Sequence, residues 1–237
     1  MLHTKTANLV ARRLLGSAVE IDPGYAAAHA YIAFTHVIDY VNGWSETPEQ
    51  SLRTGQEIAQ RSVELDDEEP MAHFALGAAC LWNRELDRAK VEAERCLALA
   101  PNSAEAHLVT SHIQIYSGDA AAAVETIDTY MGLDPHYPDI VLYFLAEARI
   151  SLGDYELAIA ALKQRVERNP DSPTSYALLA SSYGNLGRIE EGKVALAELF
   201  RIAPDFSVER RRRILPFKNP ADFERRLEGF RKVGLEV

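Results

Sequence analysis

The sequence predicts an all-α fold in which antiparallel helix pairs stack as a solenoid that ends in a C-terminal capping helix. Prolines recur at intervals of 34, 35 and 34 residues, at Pro101, Pro135, Pro170 and Pro204. A glycine stands 17 residues before each of the last three, and a very small residue stands twelve residues before all four. A fixed period of this length is typical of stacked helix–turn–helix repeats, which bury their apolar faces against one another.

Each regular repeat is predicted to hold two helices separated by a glycine turn. The turn glycines are Gly118, Gly153 and Gly187, and Arg84 stands at the corresponding place one repeat earlier. Glycine readily adopts the left-handed backbone that ends a first helix, and a proline after the second helix prevents its continuation. The spacing therefore predicts both the helices and the points at which they end.

The N-terminal part departs from the regular period in two ways. The first segment has the pattern of a second helix only, with Ala11 twelve residues before Pro23, and it is predicted to be a half repeat. The next unit is about ten residues too long, and the excess lies at 41–50. An Asn-Gly pair there predicts an extended turn, and Pro48 predicts the start of the next helix.

The C-terminal end carries the residues of a helix with both caps. Asn219 is the predicted N-cap, Pro220 the first helical residue, and Gly234 follows the last turn. The N-terminal end has no equivalent cap, so we expect the chain to be part of a longer protein. The predicted array consists of a half repeat over 5–23, a repeat with a ten-residue insertion over 26–69, full repeats over 70–103, 104–137, 138–172 and 173–206, and a cap over 207–237.

Several positions of these units resemble the tetratricopeptide repeat, a helical hairpin in which small, large apolar and proline residues recur at set places. Ala89, Ala123 and Ala158 occupy its small position on the second helix, and Gly77 and Ala180 lie where its two helices pack closely. The resemblance covers nearly the whole chain. It implies a right-handed superhelical course and a concave groove lined by the first helices, in which a protein or peptide segment binds.

Two glycines stand inside predicted second helices where the repeat usually has alanine. Because a helical glycine costs roughly 0.5–1 kcal/mol relative to alanine, the helices containing Gly55 and Gly192 are expected to be softer. Gly192 also belongs to Gly187–Val194, a near match to the phosphate-binding pattern G-x-x-x-x-G-K-[ST]. Val194 replaces the hydroxyl residue, no strand precedes, and both glycines already have places in the repeat, so we expect no nucleotide there.

The charge distribution disfavours nucleic acid as a partner. The net charge is −10, with a balance of −14 over residues 1–200 and +4 over 201–237. Phosphate binding needs a positive face, which an acidic body lacks. The basic run at 210–213 could serve an acidic partner. More commonly such a run is a solvated helix surface or a complement to the protein's own acidic body.

The sequence predicts a cytoplasmic protein. No apolar stretch reaches the roughly 18 residues needed to span a membrane, and the N-terminus lacks the pattern of a secretory signal. The two cysteines, Cys80 and Cys96, are too few for a disulfide framework and fit a reducing compartment.

No residue pattern of an enzyme, metal site or cofactor site is present in the sequence. Seven histidines are scattered without metal-ligand spacing, and His29, His73 and His107 share one repeat position, which favours a structural role. Cys80 and Cys96 fall on facing helices at positions that point into the array. We therefore expect a non-catalytic chain without cofactor or metal.

The remaining candidate site is the groove that the resemblance implies. Apolar and aromatic side chains recur at the groove positions of the first helices, and aromatic anchors carry much of the energy of protein binding. The alternative is that many of them pack against the next helix or against the insertion at 41–50. The candidate groove residues are Phe34, Phe74, Leu81, Trp82, Leu108, His112, Tyr116, Leu142 and Arg149.

A narrower resemblance concerns residues 3–33, 39–46 and 204–235. These tracts are similar to the C-terminal repeat region of bacterial class III adenylate/guanylate cyclase-type proteins. The resemblance implies a regulatory interaction module in a signalling protein, whose partner is another protein or the parent's own catalytic domain. Two alternatives stay open at this stage, the sensor arm of a transcription regulator and a scaffold that forms homodimers.

Overall fold

The computed structural model describes residues 4–236, and these residues form thirteen α-helices and no strand. The chain divides into two compact units, one up to Ile113 and one from Gln114, so that the boundary lies inside the sixth helix. The predicted all-α fold of helix pairs is confirmed. The helices are α1 Lys5–Ile21, α2 Ala26–Asn42, α3 Pro48–Leu65, α4 Pro70–Trp82, α5 Leu86–Leu99, α6 Ala104–Ser117, α7 Ala120–Leu133, α8 Ile140–Leu152, α9 Tyr155–Arg168, α10 Pro173–Asn185, α11 Ile189–Ile202, α12 Val208–Ile214 and α13 Pro220–Lys232.

The turns between paired helices have the backbone predicted for them. Gly118, Gly153 and Gly187 have φ angles of 89°, 83° and 75°, in the left-handed region that ends an α-helix. Arg84 occupies the equivalent turn with φ 63°, as the one non-glycine residue with a positive φ among residues 4–236. The turn geometry is therefore retained even where glycine is replaced.

The repeat at 26–69 is about ten residues longer than the others, and its additional residues lie mostly in helices. Helices α2 and α3 contain 17 and 18 residues, whereas α4 and α5 contain 13 and 14. The connection between α2 and α3 is thus confined to residues 43–47, where Gly43 adopts φ 64°. The expected extended turn over 41–50 is corrected: the insertion lengthens each helix by about one turn.

Successive helix pairs pack through very small side chains. In unit 1, α2 packs on α3 and α4 packs on both of them, and Ala33, Ala59 and Ala89 are completely buried. In unit 2, α8 packs on α9, and α10 packs on α11 and α13. Since a buried alanine lets two helix backbones approach closely, these positions hold the spacing between neighbouring helices.

Three histidines make the same bond in three consecutive repeats of unit 1. Nε2 of His29, His73 and His107 lies 3.1, 3.0 and 2.9 Å from the carbonyl oxygen six residues earlier. Each of these bonds ties the start of a first helix to the loop before it. The predicted structural role of this repeat position is confirmed.

The two helical glycines mark close approaches. A Cβ on Gly192 would overlap the Val233 side chain, and a Cβ on Gly55 would lie 3.0 Å from the Ala33 carbonyl oxygen. An alanine at either site would therefore push on a neighbouring element. The missing side chains of these glycines make room for neighbouring elements, and the expected softness of the two helices stays a prediction.

Candidate protein-binding surfaces

An aromatic series runs along the first helices of unit 1. The Phe34 and Phe74 rings meet edge to face with centroids 4.9 Å apart, and the Tyr40 and Trp82 centroids are 6.2 Å apart. The Trp82 ring also lies edge to face on His112, at 5.5 Å. Such contacts contribute about 0.5–1.5 kcal/mol beyond area burial, so they fix the rings of neighbouring first helices relative to one another.

Five of the nine predicted groove side chains are buried, so they do not present a solvent-facing stripe. Phe74, Leu81, Trp82, Tyr116 and Leu142 are 0–6% exposed. The expectation of solvent-facing anchors is corrected at these five positions. Phe74 and Trp82 pack on rings of a neighbouring first helix, and Tyr116 packs on Phe217 near the C-terminus. The four partly accessible members are Phe34, Leu108, His112 and Arg149.

Four of the accessible side chains on the first helices of unit 1 are called the unit 1 face. They are Tyr31 and Phe34 on α2 and Leu108 and His112 on α6, and Tyr31 is 47% exposed. Partial burial raises the pKa of the Tyr31 hydroxyl, and the carboxylates of Glu105 and Glu69 raise it further. The face therefore has negative charge beside Tyr31.

A polar contact between α1 and α2 was not foreseen from the sequence. Asn8 donates hydrogen bonds to the Thr35 carbonyl oxygen and to Asp39, and Arg12 donates to the Thr35 hydroxyl and to the other Asp39 oxygen at 2.6 Å. Burial, together with the Arg12 charge, lowers the pKa of the adjacent His36 to about 4. Polar side chains thus hold the half repeat on the first full repeat.

In unit 2 the C-terminal segment, residues 207–236, lies on the first helices. Arg211 donates to the Tyr143 hydroxyl at 3.1 Å, and the Lys218 amide donates to the Tyr116 carbonyl oxygen at 2.8 Å. The Phe217 ring contacts the Tyr116 ring with centroids 4.7 Å apart. The segment therefore extends from α10 back to α8 and the end of α6, and does more than cover the last helix pair.

A buried ion pair joins this segment to α8. Arg226 donates two hydrogen bonds of 2.8 Å to the two carboxylate oxygens of Glu147, and the guanidinium also lies 4.6 Å from the centroid of the Phe217 ring. Burial alone would raise the pKa of Glu147, but the charge and hydrogen bonds of Arg226 outweigh it and hold that pKa below its usual value. Burial also raises the pKa of Tyr143, to about 12.

Helices α10 and α13 are in backbone contact. A Cβ on Gly184 would overlap the Gly229 backbone, and a Cβ on Gly229 would overlap the Ser181 carbonyl group. Ser181 and Asn185 donate side-chain hydrogen bonds of 2.9 Å to carbonyl oxygens of α13. Helix α13 is thus held on α10 by the close approach of Gly184 and Gly229 and by side-chain hydrogen bonds from α10 to the α13 carbonyl groups.

Sequence reasoning did not single out Glu147 and Arg226. The available signal was a carboxylate within the largely apolar helix α8, together with an arginine that lies three residues after Phe223 and four before Phe230 on α13. Arg226 lies outside the basic run at 210–213, and the role of that run stays a prediction. Arg149, in contrast, pairs with Asp154 at 3.1 Å at the end of its own helix.

The groups considered for chemistry lie apart from one another. Cys80 and Cys96 are buried, and burial raises the pKa of each thiol to about 12, which keeps it protonated. Lys193 of the phosphate-loop-like stretch pairs with Glu190 at the surface. Between residues 4 and 236 no three His, Cys, Asp or Glu side chains group as metal ligands, and no helix there is long and apolar enough to cross a membrane.

Comparison with known proteins agrees with this geometry. Two family models, both described as tetratricopeptide repeat, match residues 114–182 and 173–206. Residues 114–206 are tetratricopeptide repeats. Proteins and peptides are the partners that this class of repeat binds, and solved structures of tetratricopeptide-repeat proteins are similar to the chain.

Three solved structures show the same fold at low identity. PilW, a type IV pilus biogenesis factor, is 16% identical with a TM-score of 0.65, covering 86% of this chain and 88% of PilW. A thermophilic tetratricopeptide-repeat protein of Thermus thermophilus is 17% identical with a TM-score of 0.61, covering 86% and 100%. The matched chain of the APC/C hetero-tetramer Cut9–Hcn1 is 16% identical with a TM-score of 0.68, and the match covers 98% of this chain and 44% of that one.

One relative carries more sequence similarity over a shorter stretch. Putative adenylate cyclase 3 of Rhizobium meliloti (strain 1021) is 37% identical over 84 residues. These residues are 35% of this chain and 14% of the relative, so the match concerns a small part of that protein.

Proposed function

We propose that this chain is a non-catalytic, regulatory interaction module of a larger bacterial nucleotide-cyclase-type protein, and that it acts in the cytoplasm. Its unit 1 face binds a helical or extended segment of the parent's catalytic part. The observation that carries the proposal is the aromatic series of unit 1, in which rigid buried rings support the partly exposed Phe34 and His112.

The charges bordering the unit 1 face define the chemistry of the proposed partner segment. Glu69 and Glu105 lie near Tyr31, so a segment with Lys or Arg beside an apolar anchor is complementary. Aromatic anchors with an apolar centre and a charged border are the usual composition of a binding surface. The similarity to putative adenylate cyclase 3 supports a cyclase domain as the source of that segment.

Isothermal titration calorimetry of the full chain with the parent's cyclase domain tests the proposal. Replacing Tyr31 and Phe34 together by alanine should weaken binding at least about thirtyfold, because truncated aromatic anchors cost about 2 kcal/mol or more. Val91→Ala is the matched control, since Val91 is 62% exposed on the second helix α5. Equal affinity of the two variants, or a parent gene without a cyclase domain, would contradict the proposal.

Trp82 is a less suitable probe than its place in the series indicates. The side chain is only 6% exposed, so its truncation removes core packing and lowers the stability of unit 1. Loss of binding by Trp82→Ala would then report unfolding as well as a lost contact. Tyr31 and Phe34 avoid this difficulty because part of each side chain reaches solvent.

A dimerisation scaffold is a second candidate, favoured by one observation on α1. Leu9, Val10 and Leu14 are 49%, 40% and 63% exposed, and they lie on one side of the helix. The opposite side of α1 binds α2 through Asn8 and Arg12. Exposed apolar groups of this kind can pair with a second copy of the half repeat or with another helix.

A further inference from the structure

We propose that the first-helix face of unit 2, formed by α8 and α10, is a peptide-binding site for an amphipathic helix that carries one arginine. The C-terminal segment is its resident occupant and a competing helix can displace it. This site is distinct from the unit 1 face of the proposed function, and the two are tested separately.

The requirement for arginine follows from Glu147. Its carboxylate is completely buried, and both of its oxygens accept hydrogen bonds from the single side chain of Arg226. A buried carboxylate needs a cationic partner, and only a guanidinium supplies two parallel donors to its two oxygens. Lysine is a compact point charge without two parallel donors, so the site discriminates between the two basic residues.

The requirement for a helix follows from the spacing of the groups that contact the repeats. Phe223, Arg226 and Phe230 are buried members of α13 at intervals of three and four residues, which places them on one face. Gly229, three residues after the arginine, lies where the backbone of α10 leaves no room for a side chain. The face therefore selects a helix with aromatic anchors around the arginine and a glycine one turn after it.

The C-terminal segment does not fill its site completely, which favours its exchange for another helix. A cavity of about 20 Å³ remains against Tyr143 and Leu178, and Arg226 Nε has no acceptor within residues 4–236. The attraction within a buried ion pair is largely offset by the desolvation of its two charges. A competing helix that supplies the same arginine makes the same contacts, so the resident's advantage is its high effective concentration.

Binding of a labelled peptide with the sequence of residues 215–236 to the full-length chain tests the proposal. Three proteins are compared by fluorescence anisotropy: wild type, Gly229→Ala, and the control Gly132→Ala, whose added Cβ meets nothing within 4 Å. Because Gly229→Ala pushes the resident segment away from Ser181, this variant should bind the peptide at least about tenfold more tightly than the other two proteins. The same peptide with Arg226→Gln should lose this binding.

Two results would overturn the proposal. One is equal binding by the three proteins, and the other is binding that the Arg226→Gln peptide retains. Phe230→Ser provides a second way to weaken the resident segment, since Phe230 is 5% exposed. If both variants lose the helical circular dichroism of the repeats, the segment is an integral part of unit 2, which also contradicts displacement.

Discussion

Glu147 on α8 and Arg226 on α13 form an ion pair that is almost completely withdrawn from solvent, with side-chain exposures of 0% and 3%. The two residues are 79 positions apart in the sequence. A pair of this kind contributes little net stability relative to apolar residues, but losing one partner leaves an uncompensated buried charge. The pair therefore fixes where the C-terminal segment lies on unit 2.

Arg226→Ala should lower the free energy of unfolding by about 3–5 kcal/mol, because it leaves Glu147 charged and unpaired in the core. Urea denaturation followed by circular dichroism measures this loss. Arg231→Ala is the control on the same helix, where an exposed arginine faces Glu224 at 3.5 Å, and it should change stability little. Similar losses for the two variants would show that the ion pair does not hold the segment.

The stability of unit 1 should depend on pH through the protonation of His36. Its pKa is lowered to about 4, first by burial, so the unfolded chain binds a proton there more readily than the folded one. The contribution of His36 to stability is present above pH 6.5 and is lost as pH falls from 6.5 to about 4.

The comparison of wild type with His36→Gln isolates this effect. The stability difference between the two proteins should shift in favour of the variant as the pH falls through that window. His136→Gln removes an exposed histidine and serves as the control. A difference for His36→Gln that is independent of pH would contradict the account.

Arg84→Gly should stabilise unit 1, since an L-residue in the left-handed region costs roughly 1–2 kcal/mol and the greater flexibility of unfolded glycine cancels part of the gain. We expect a net increase of about 0.5–1 kcal/mol. The matched reverse change is Gly153→Ala at φ 83°, where nothing lies within 4 Å of an added Cβ and only the backbone is strained. Thermal denaturation should show opposite shifts, and shifts of the same sign would refute the equivalence of the two turns.

Leu14→Glu should reduce any self-association through the half repeat. Leu14 is 63% exposed on the free side of α1, so a charge there opposes apolar pairing with a second copy. Sedimentation velocity at several concentrations measures the change, with Leu157→Glu on α9, where Leu157 is 54% exposed, as the control. If a dimer persists in Leu14→Glu, its interface does not lie on the exposed side of α1.

Local signals in the sequence were sufficient for the helix pairs and their turns. Proline and glycine determine backbone geometry within a few residues, so Gly118, Gly153 and Gly187 could be assigned without tertiary information. The three histidines were recognisable in the same way, because each bonds to a carbonyl six residues earlier. The right-handed course of the array and its continuity through α6 stay predictions.

The surfaces were less predictable because they depend on contacts between distant parts of the chain. Repeat positions place Tyr116 and Leu142 in a groove, but they do not reveal that residues 207–236 cover the first helices of unit 2. In the sequence, Gly192 reads as an unfavourable replacement of alanine. In the structure, Val233 occupies the space that an alanine side chain would need. Apolar spacing identifies the first-helix faces, and tertiary contacts decide which of them reach solvent.

Hydrogen exchange on the full chain, with and without the cyclase domain of the proposed parent protein, is the most direct test of the proposed interaction function. Amides of α2 and α6, which carry the unit 1 face, and of α4, which carries its supporting rings, should become protected on binding, while those of α9 should not change. Protection confined to α10 and α13, or no protection in unit 1, would contradict the account.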